Sequence, residues 1–288
     1  IFILMIIWLA SYPKSGNTWV RSFLNSLLFN KDNKADLSEL GKIDQYPKRS
    51  HFLNLVNEID NIEELSSNWI KSQEILNYDK QIKLFKTHHA LCNYKNFFFT
   101  NDKVSLGVIH VVRDPRNVIT SILYHFSKKN YSEAKDFLFD ENKALGKKFD
   151  MNDPNVNRNI FTIISSWKNH YNSWKQFKKN YILIKYEDLV QDPYGEFNKL
   201  SDYLSKILNL NFDETKIKSA IKSNSFENLK KMEKENGFAE AAKNKETGER
   251  KIFFNLGPKN NWEKLLDIEF KEDIEKEFKT EMCELGYI

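Results

Sequence analysis

Ala10-Ser11-Tyr12-Pro13-Lys14-Ser15-Gly16-Asn17-Thr18-Trp19 is the stretch on which the reading of this chain turns. The apolar residues 6–9 before it have the character of a buried strand. After it, Val20, Phe23, Leu24, Leu27 and Leu28 fall at the spacing of a helix with one apolar face. The order is strand, tight loop, helix. A helix N-terminus presents N–H groups without intrahelical partners and a partial positive charge, so it attracts an anion. Lys14 adds a full charge, and Gly16 lets the backbone come close to a ligand. The plainer alternative is an ordinary turn that happens to hold a lysine. Loop chemistry and flanking pattern together favour the anion site.

The bounds set by the whole chain agree with a small charged ligand. Its 288 residues are 41% hydrophobic and 29% charged, the make-up of a globular protein of one large α/β domain or two smaller ones. With 44 basic and 40 acidic residues the net charge is +4, too balanced to imply nucleic acid but suited to a basic pocket. Cys92 and Cys283 are far apart and match no metal spacing, which points to a reducing, cytoplasmic setting. The apolar start, residues 1–10, is half a membrane span and has no basic flank. It reads as a buried first strand, and no membrane span is expected.

Further along, residues 30–50 read as loop and short helix near the site entrance, and 62–78 as a helix with Ile62, Leu65, Trp69, Ile70 and Ile75 inward. A second strand covers 82–88 and a third 104–112, whose near-continuous apolar character suits a strand covered on both faces. The third strand runs into Arg113-Asp114-Pro115-Arg116-Asn117 and then a helix over 118–126, so strand, loop and helix recur. Residues 127–158 hold no strong pattern beyond a short helix at 137–139. Ile160, Ile163, Ile164, Trp167, Tyr171 and Trp174 predict an amphipathic helix, 181–185 a fourth strand, and 193 onward another helix. Residues 230–251 read as a solvated, mobile segment, followed by a closing helix over about 265–285. The alternation predicts one α/β domain over 1–288: a parallel sheet flanked by helices, with a P-loop-like loop after the first strand. Ligands of such a sheet bind at the carboxyl ends of its strands, where the motifs fall.

The loop is not the G-x-x-x-x-G-K-[ST] of nucleoside-triphosphate enzymes, because its lysine precedes the glycine. It closely resembles the phosphosulfate-binding loop of the sulfotransferases, Y-P-K-S-G-T-T-W, with Asn17 the only departure over residues 12–19. The resemblance extends over most of the chain, as far as Trp262. It implies a sulfotransferase that uses 3′-phosphoadenosine 5′-phosphosulfate (PAPS) as donor and no metal. Its acceptor would be a small alcohol, phenol or amine. Lys14, Ser15, Gly16, Asn17 and Thr18 would then meet the phosphosulfate end. The family pattern R-D-x-x-x-x-x-x-S-x-x-x-H-F recurs at Arg113, Asp114, Ser121, His125 and Phe126, so Arg113 and Ser121 resemble the 3′-phosphate ligands. Trp19, Tyr186, Asn224 and Phe226 correspond to the adenine slot, although these aromatics fit a core equally well.

Lys86-Thr87-His88 resembles the family's Lys-Thr-His. An acceptor must lose a proton as it attacks sulfur, and a histidine, with an ordinary pKa of about 6.5, is suited to take it. Lys14 and Lys86 would cover the charge that builds on the transferred group and the leaving phosphate. In a strand, adjacent side chains point opposite ways, so His88 is expected to share a face with Lys86 while His89 projects away. A capping or core histidine is the plainer alternative for His88.

One element departs from the family. Where R-K-G-x-x-G-x-W is usual, aligning Gly257 and Trp262 leaves Asn255 and Leu256 at the basic positions, with Lys259 or Arg250 as substitutes for the lost charge. Two rival functions follow: a kinase-like phosphoryl-transfer enzyme, which the loop order opposes, and an inactive nucleotide-binding module, which the presence of Lys86 and His88 opposes. The acceptor pocket is expected from 30–51, the region after His89, and 127–158. Acceptor identity and any homo-oligomer are left open.

Overall fold

A computed structural model describes residues 5–146, 160–242 and 248–288. Its strands are β1 (Ile6–Ser11), β2 (Asp44–Gln45), β3 (Lys83–Thr87), β4 (Asn93–Tyr94), β5 (Phe97–Phe98), β6 (Ser105–Val112), β7 (Ala144–Leu145), β8 (Thr162–Ile163) and β9 (Tyr181–Lys185). Five of them form the main sheet, in the order β2-β3-β1-β6-β9. β1 pairs parallel to β3, with Ile6 opposite Lys83 and Ala10 opposite Thr87, and β2 adds to the other edge of β3, also parallel. All six residues of β1 are buried, as its unbroken apolar run predicts. The chain is α/β, a parallel sheet with helices, and all four expected strands are in the sheet. The fifth, β2, lies in the tract read as loop and short helix. Two residues are too few to show a period.

By its contacts the chain divides into two compact units. The first comprises Ile1–Tyr12, Ile43–His110 and Phe139–Leu183, and so holds most of the sheet. Its core is aromatic: Trp8, Tyr46, Trp69, Phe85, Phe99 and Trp174 surround Ile6, Leu65 and Val108. Trp8 donates to the Ser105 hydroxyl at 2.7 Å, which satisfies its one polar atom inside that core. Two helices, Ile62–Ser67 and Trp69–Leu76, replace the single one expected over 62–78. Asn68 causes the break: its amide donates to the Glu64 carbonyl at 2.9 Å, competing with the helix's own ladder. Ile75, placed inward by periodicity, is 52% exposed.

The helix predicted from Ile160 also begins late. Thr162 and Ile163 form β8, antiparallel to β7, and the helix is Trp167–Lys175. Ser165 is left-handed (φ 58°) and Ser166 caps the helix by accepting from Asn169 N–H. The adjacent serines were the stop-and-start signal, outweighed by an accidental isoleucine spacing.

The second unit comprises Pro13–Lys42, Val111–Leu138 and Ile184–Ile288, and is mainly helical. It holds Asn17–Leu28, Pro115–His125, Tyr186–Gln191, Pro193–Leu208, Glu214–Ser223, Phe226–Asn236, Trp262–Leu265, Ile268–Glu277 and Lys279–Leu285. The expected closing helix is thus three short ones, interrupted around Leu266 and at Phe278. Residues 230–236 of the supposed mobile segment are helical. Leu229, Phe238 and Phe254 pack into a core with Ala35, Leu37 and Leu40, so that segment is not wholly solvated. Residues 243–247, and 147–158 of the expected acceptor region, lie outside the described residues.

Candidate functional site

In the second unit the loop after β1 is built from backbone conformations that few residues accept. Lys14 is left-handed at φ 70° and Gly16 at φ 99°, on either side of buried Ser15. Such alternation turns successive N–H groups toward one concavity. A Cβ at Gly16 would lie 2.5 Å from Cδ2 of the Tyr186 ring, so glycine is required there twice over, by conformation and by space. The Ser15 hydroxyl is buried and has no hydrogen-bond partner among the described residues. A buried polar atom left so is costly unless a ligand satisfies it. Asn17 and Thr18, both buried, begin the helix Asn17–Leu28.

Arg113 ties this loop to the rest of the unit. It is 6% exposed and follows directly on β6. Its Nη1 donates to the Lys14 carbonyl at 3.2 Å and to the Ser121 hydroxyl at 3.3 Å, while its guanidinium lies 4.1 Å from the centre of the Tyr186 ring. Lys14, Arg113, Ser121 and Tyr186 are therefore one cluster, although 172 positions (186 − 14) separate its ends. Burial raises the Tyr186 pKa, and the Arg113 charge partly offsets the shift. Lys14 Nζ rests 4.3 Å from the centre of the Phe253 ring.

The remaining predicted residues of the unit separate into two groups. Trp19 packs edge-on to Tyr186 at 5.8 Å and donates through Nε1 to the Asn224 carbonyl at 2.8 Å. Asn224 is itself fully buried, its amide donating to Ser26 Oγ at 2.9 Å, so it acts on Trp19 through its backbone. Phe226 fills the space over Gly257, where a Cβ would meet its ring at 2.0 Å. Arg250 is exposed and donates to the Phe238 carbonyl. Lys259 is exposed in the short turn Gly257–Lys259. Asn260 was not singled out from the sequence. Its amide nonetheless donates to Ser121 Oγ at 3.2 Å and to the Asn117 carbonyl at 2.8 Å. Its position two residues before Trp262 was the only available signal.

Lys86 and His88 belong to the first unit. Lys86 is 8% exposed, opposite Leu9 in the sheet. His88 is half-buried one residue past β3, so strict alternation no longer fixes its direction. A hydrogen bond fixes it instead: Nδ1 is 2.8 Å from the Ser11 carbonyl oxygen. A carbonyl only accepts, so Nδ1 carries the proton and Nε2 is left with a lone pair. His89 is completely buried, stacked on Phe99 at 4.0 Å, with Nδ1 donating to the Ala90 carbonyl. Burial pushes its pKa down to about 3. His170 is also buried and held well below its ordinary value, by burial first and then by His110, His88 and His89. Its ring stands edge-on to Tyr12 at 5.7 Å. Among the described residues no group of three or more His, Cys, Asp or Glu is placed to hold a metal ion.

Comparison with known proteins bears on this arrangement. The model of a family described as the sulfotransferase domain matches residues 6–286. A 3-beta-hydroxysteroid sulfotransferase of Cavia porcellus is 23% identical over 282 residues, covering 96% of this chain and 83% of the relative. Cytosolic sulfotransferase 7 of Arabidopsis thaliana is 24% identical over 279 residues, 93% of this chain and 78% of the relative. Among solved structures, retinol dehydratase in a complex with retinol and PAP matches with a TM-score of 0.57 at 19% identity, over 98% of this chain and 82% of that one. Mouse sulfotransferase SULT7A1 complexed with PAP matches with a TM-score of 0.56 at 15% identity, over 98% and 85%. At such identities the structural matches speak for the fold alone.

Proposed function

The chain belongs to the sulfotransferase domain family, and we propose that it moves a sulfuryl group from PAPS to a hydroxyl or amine of a small acceptor, with His88 as general base. The observation that carries this reading is the grip of Arg113 on the Lys14 carbonyl, Ser121 and the Tyr186 face, which joins the family's two anion motifs in one cluster. The residues fit the donor. The unsatisfied Ser15 hydroxyl and the cleared space at Gly16 suit an anion on the loop, and an arginine beside a serine suits a phosphate.

When bound, PAPS supplies the sulfuryl group that is transferred. Lys14, Ser15, Gly16, Asn17 and Thr18 hold its phosphosulfate end, Arg113 and Ser121 its 3′-phosphate, and Trp19, Tyr186, Asn224 and Phe226 frame the base. Arg250 and Lys259 are the candidates to replace the charge missing at Asn255 and Leu256, and Lys230 also donates to the Asn255 carbonyl at 3.0 Å. Lys14 and Lys86 offset negative charge that grows during transfer. His88 accepts the acceptor's proton at Nε2, and the Ser11 carbonyl keeps it in the tautomer able to do so. His170 and His89, neutral through burial, add no competing positive charge beside it.

The acceptor is a small alcohol, phenol or amine, and the protein works without a metal, without nucleic acid and in the cytoplasm. No helix among the described residues is long and apolar enough to cross a membrane. The test is transfer of labelled sulfate from PAPS to a panel of acceptors, with and without chelator. Transfer that survives the chelator supports the reading. No sulfate transfer, with chelator-sensitive phosphate transfer from ATP in its place, overturns it.

A further inference from the structure

Glu187 has no part in the chemistry above, yet it stands at the head of the arginine cluster. It follows Tyr186, whose ring lies under the Arg113 guanidinium. One carboxylate oxygen accepts the backbone N–H of Asp114 at 3.1 Å, and the other accepts the Tyr287 hydroxyl at 2.9 Å. Asp114 is the residue after Arg113, so Glu187 holds the peptide group that carries the arginine. The same turn is gripped from its far side. Asp114 is bonded to Arg116, and Arg116 reaches Glu275 and, at 2.9 Å, the Tyr287 carbonyl, with its guanidinium 4.0 Å from the centre of the Trp262 ring. Lys185, just before Tyr186, donates to the Leu285 carbonyl at 3.2 Å. Residues 275–287 thus clasp the Arg113–Arg116 turn at several points within one unit. The Tyr287–Glu187 bond is part-buried, and burial raises the pKa of both groups.

We propose that Tyr287, acting through Glu187, is a positioning residue of the phosphate site: its hydroxyl fixes the Glu187 carboxylate, which fixes the Asp114 N–H and so aims Arg113 at the 3′-phosphate of the nucleotide. The inference rests on the reading of Arg113 as a phosphate ligand. Without the tyrosine donor, one carboxylate oxygen loses its side-chain partner and the carboxylate is held less firmly. The Arg113 guanidinium is the cation whose charge acts on Glu187, and a loosened carboxylate would draw it from its anion.

The test compares adenosine 3′,5′-bisphosphate with AMP, which lacks only the 3′-phosphate. Calorimetric titration of the wild-type chain with each gives a ratio of dissociation constants that reports the 3′-phosphate site. In Tyr287→Phe that ratio is expected to fall about tenfold, the scale of one hydrogen bond to a charged group, with AMP binding changed less than about twofold. Glu187→Gln keeps the side-chain volume but sets an N–H against one of the two donors. It is expected to lower the ratio likewise, and it decides the question should the phenylalanine variant fail to fold. A merely structural clasp would weaken both nucleotides alike, and an unchanged ratio in a folded variant overturns the inference. A wild-type ratio near one overturns instead the assignment of Arg113, and the inference with it.

Discussion

Replacing His88 and His89 one at a time by asparagine separates the proposed base from its neighbour. His88 Nδ1 is held by the Ser11 carbonyl, so the asparagine amide can retain that donor bond while removing the Nε2 lone pair. Cofactor affinity is expected to stay nearly unchanged, and kcat to fall by roughly 10²–10⁴-fold, the worth of a positioned base. His89→Asn loses something else. Its ring is sandwiched against Phe99 at 4.0 Å and edge-on to Trp69 at 4.8 Å, with no exposure at all. An amide in that aromatic cage forfeits the stacking and leaves polar atoms short of partners, a loss of about 3 kcal/mol in stability. The cost should appear as a melting temperature lower by several degrees, with kcat per folded molecule close to normal. Its side chain meets only core, so no acceptor contact is lost with it. Steady-state kinetics on any working acceptor, active-site titration and thermal melts measure all three quantities. A normal kcat in His88→Asn, or a large kcat loss in His89→Asn at unchanged stability, would refute the assignment.

Three further outcomes are expected. Gly16→Ala should abolish nucleotide binding in a calorimetric titration, because its Cβ would enter the Tyr186 ring from a left-handed backbone; wild-type affinity would show that the loop relaxes freely. Lys14→Ala should remove turnover and weaken PAPS binding, and residual activity that EDTA abolishes would favour the phosphoryl-transfer rival. Acid should destabilise the first unit. His89 and His110, pushed down to about 3, and His51, pushed down to about 4, stay neutral when folded but take up protons on unfolding below about pH 6.5. The unfolded chain then binds more protons, so stability is full above that pH and is lost as pH falls from 6.5 toward 4. A melting temperature constant over that range would contradict the burial of these rings.

What the sequence revealed and what it hid follow from the range of each interaction. β1, the loop and the helix Asn17–Leu28 are local, so hydrophobic period and one glycine sufficed. Arg113 and Ser121 lie one helix apart, and their spacing was visible too. Glu187, Tyr287 and Asn260 reach the same cluster only through folding: the Tyr287–Glu187 bond joins residues 100 apart, and the Asn260–Ser121 bond residues 139 apart. No period or motif spans such distances in one sequence. Polar side chains misled where they outbid the helix ladder, at Asn68 and at Ser165-Ser166, because apolar spacing is blind to a side chain that bonds its own backbone.

The departure at Asn255 and Leu256 takes on a different weight once the frame around it is seen. Gly257 is left-handed at φ 52° and leaves room for the Phe226 ring, a requirement of packing that involves no phosphate. Trp262 covers the Arg116 guanidinium, and its backbone N–H is taken by Asn117 Oδ1 at 3.0 Å. Both landmarks of the family motif therefore have work in the second unit whether or not basic residues precede them. Between them, Asn260 brings an amide donor to Ser121, the hydroxyl that Arg113 also touches. The segment thus meets the proposed phosphate site with a neutral donor. An amide is a weaker partner for an anion than a cation, so more of the burden of holding the 3′-phosphate falls on Arg113. The aim of that one guanidinium then matters more than it would beside two further charges.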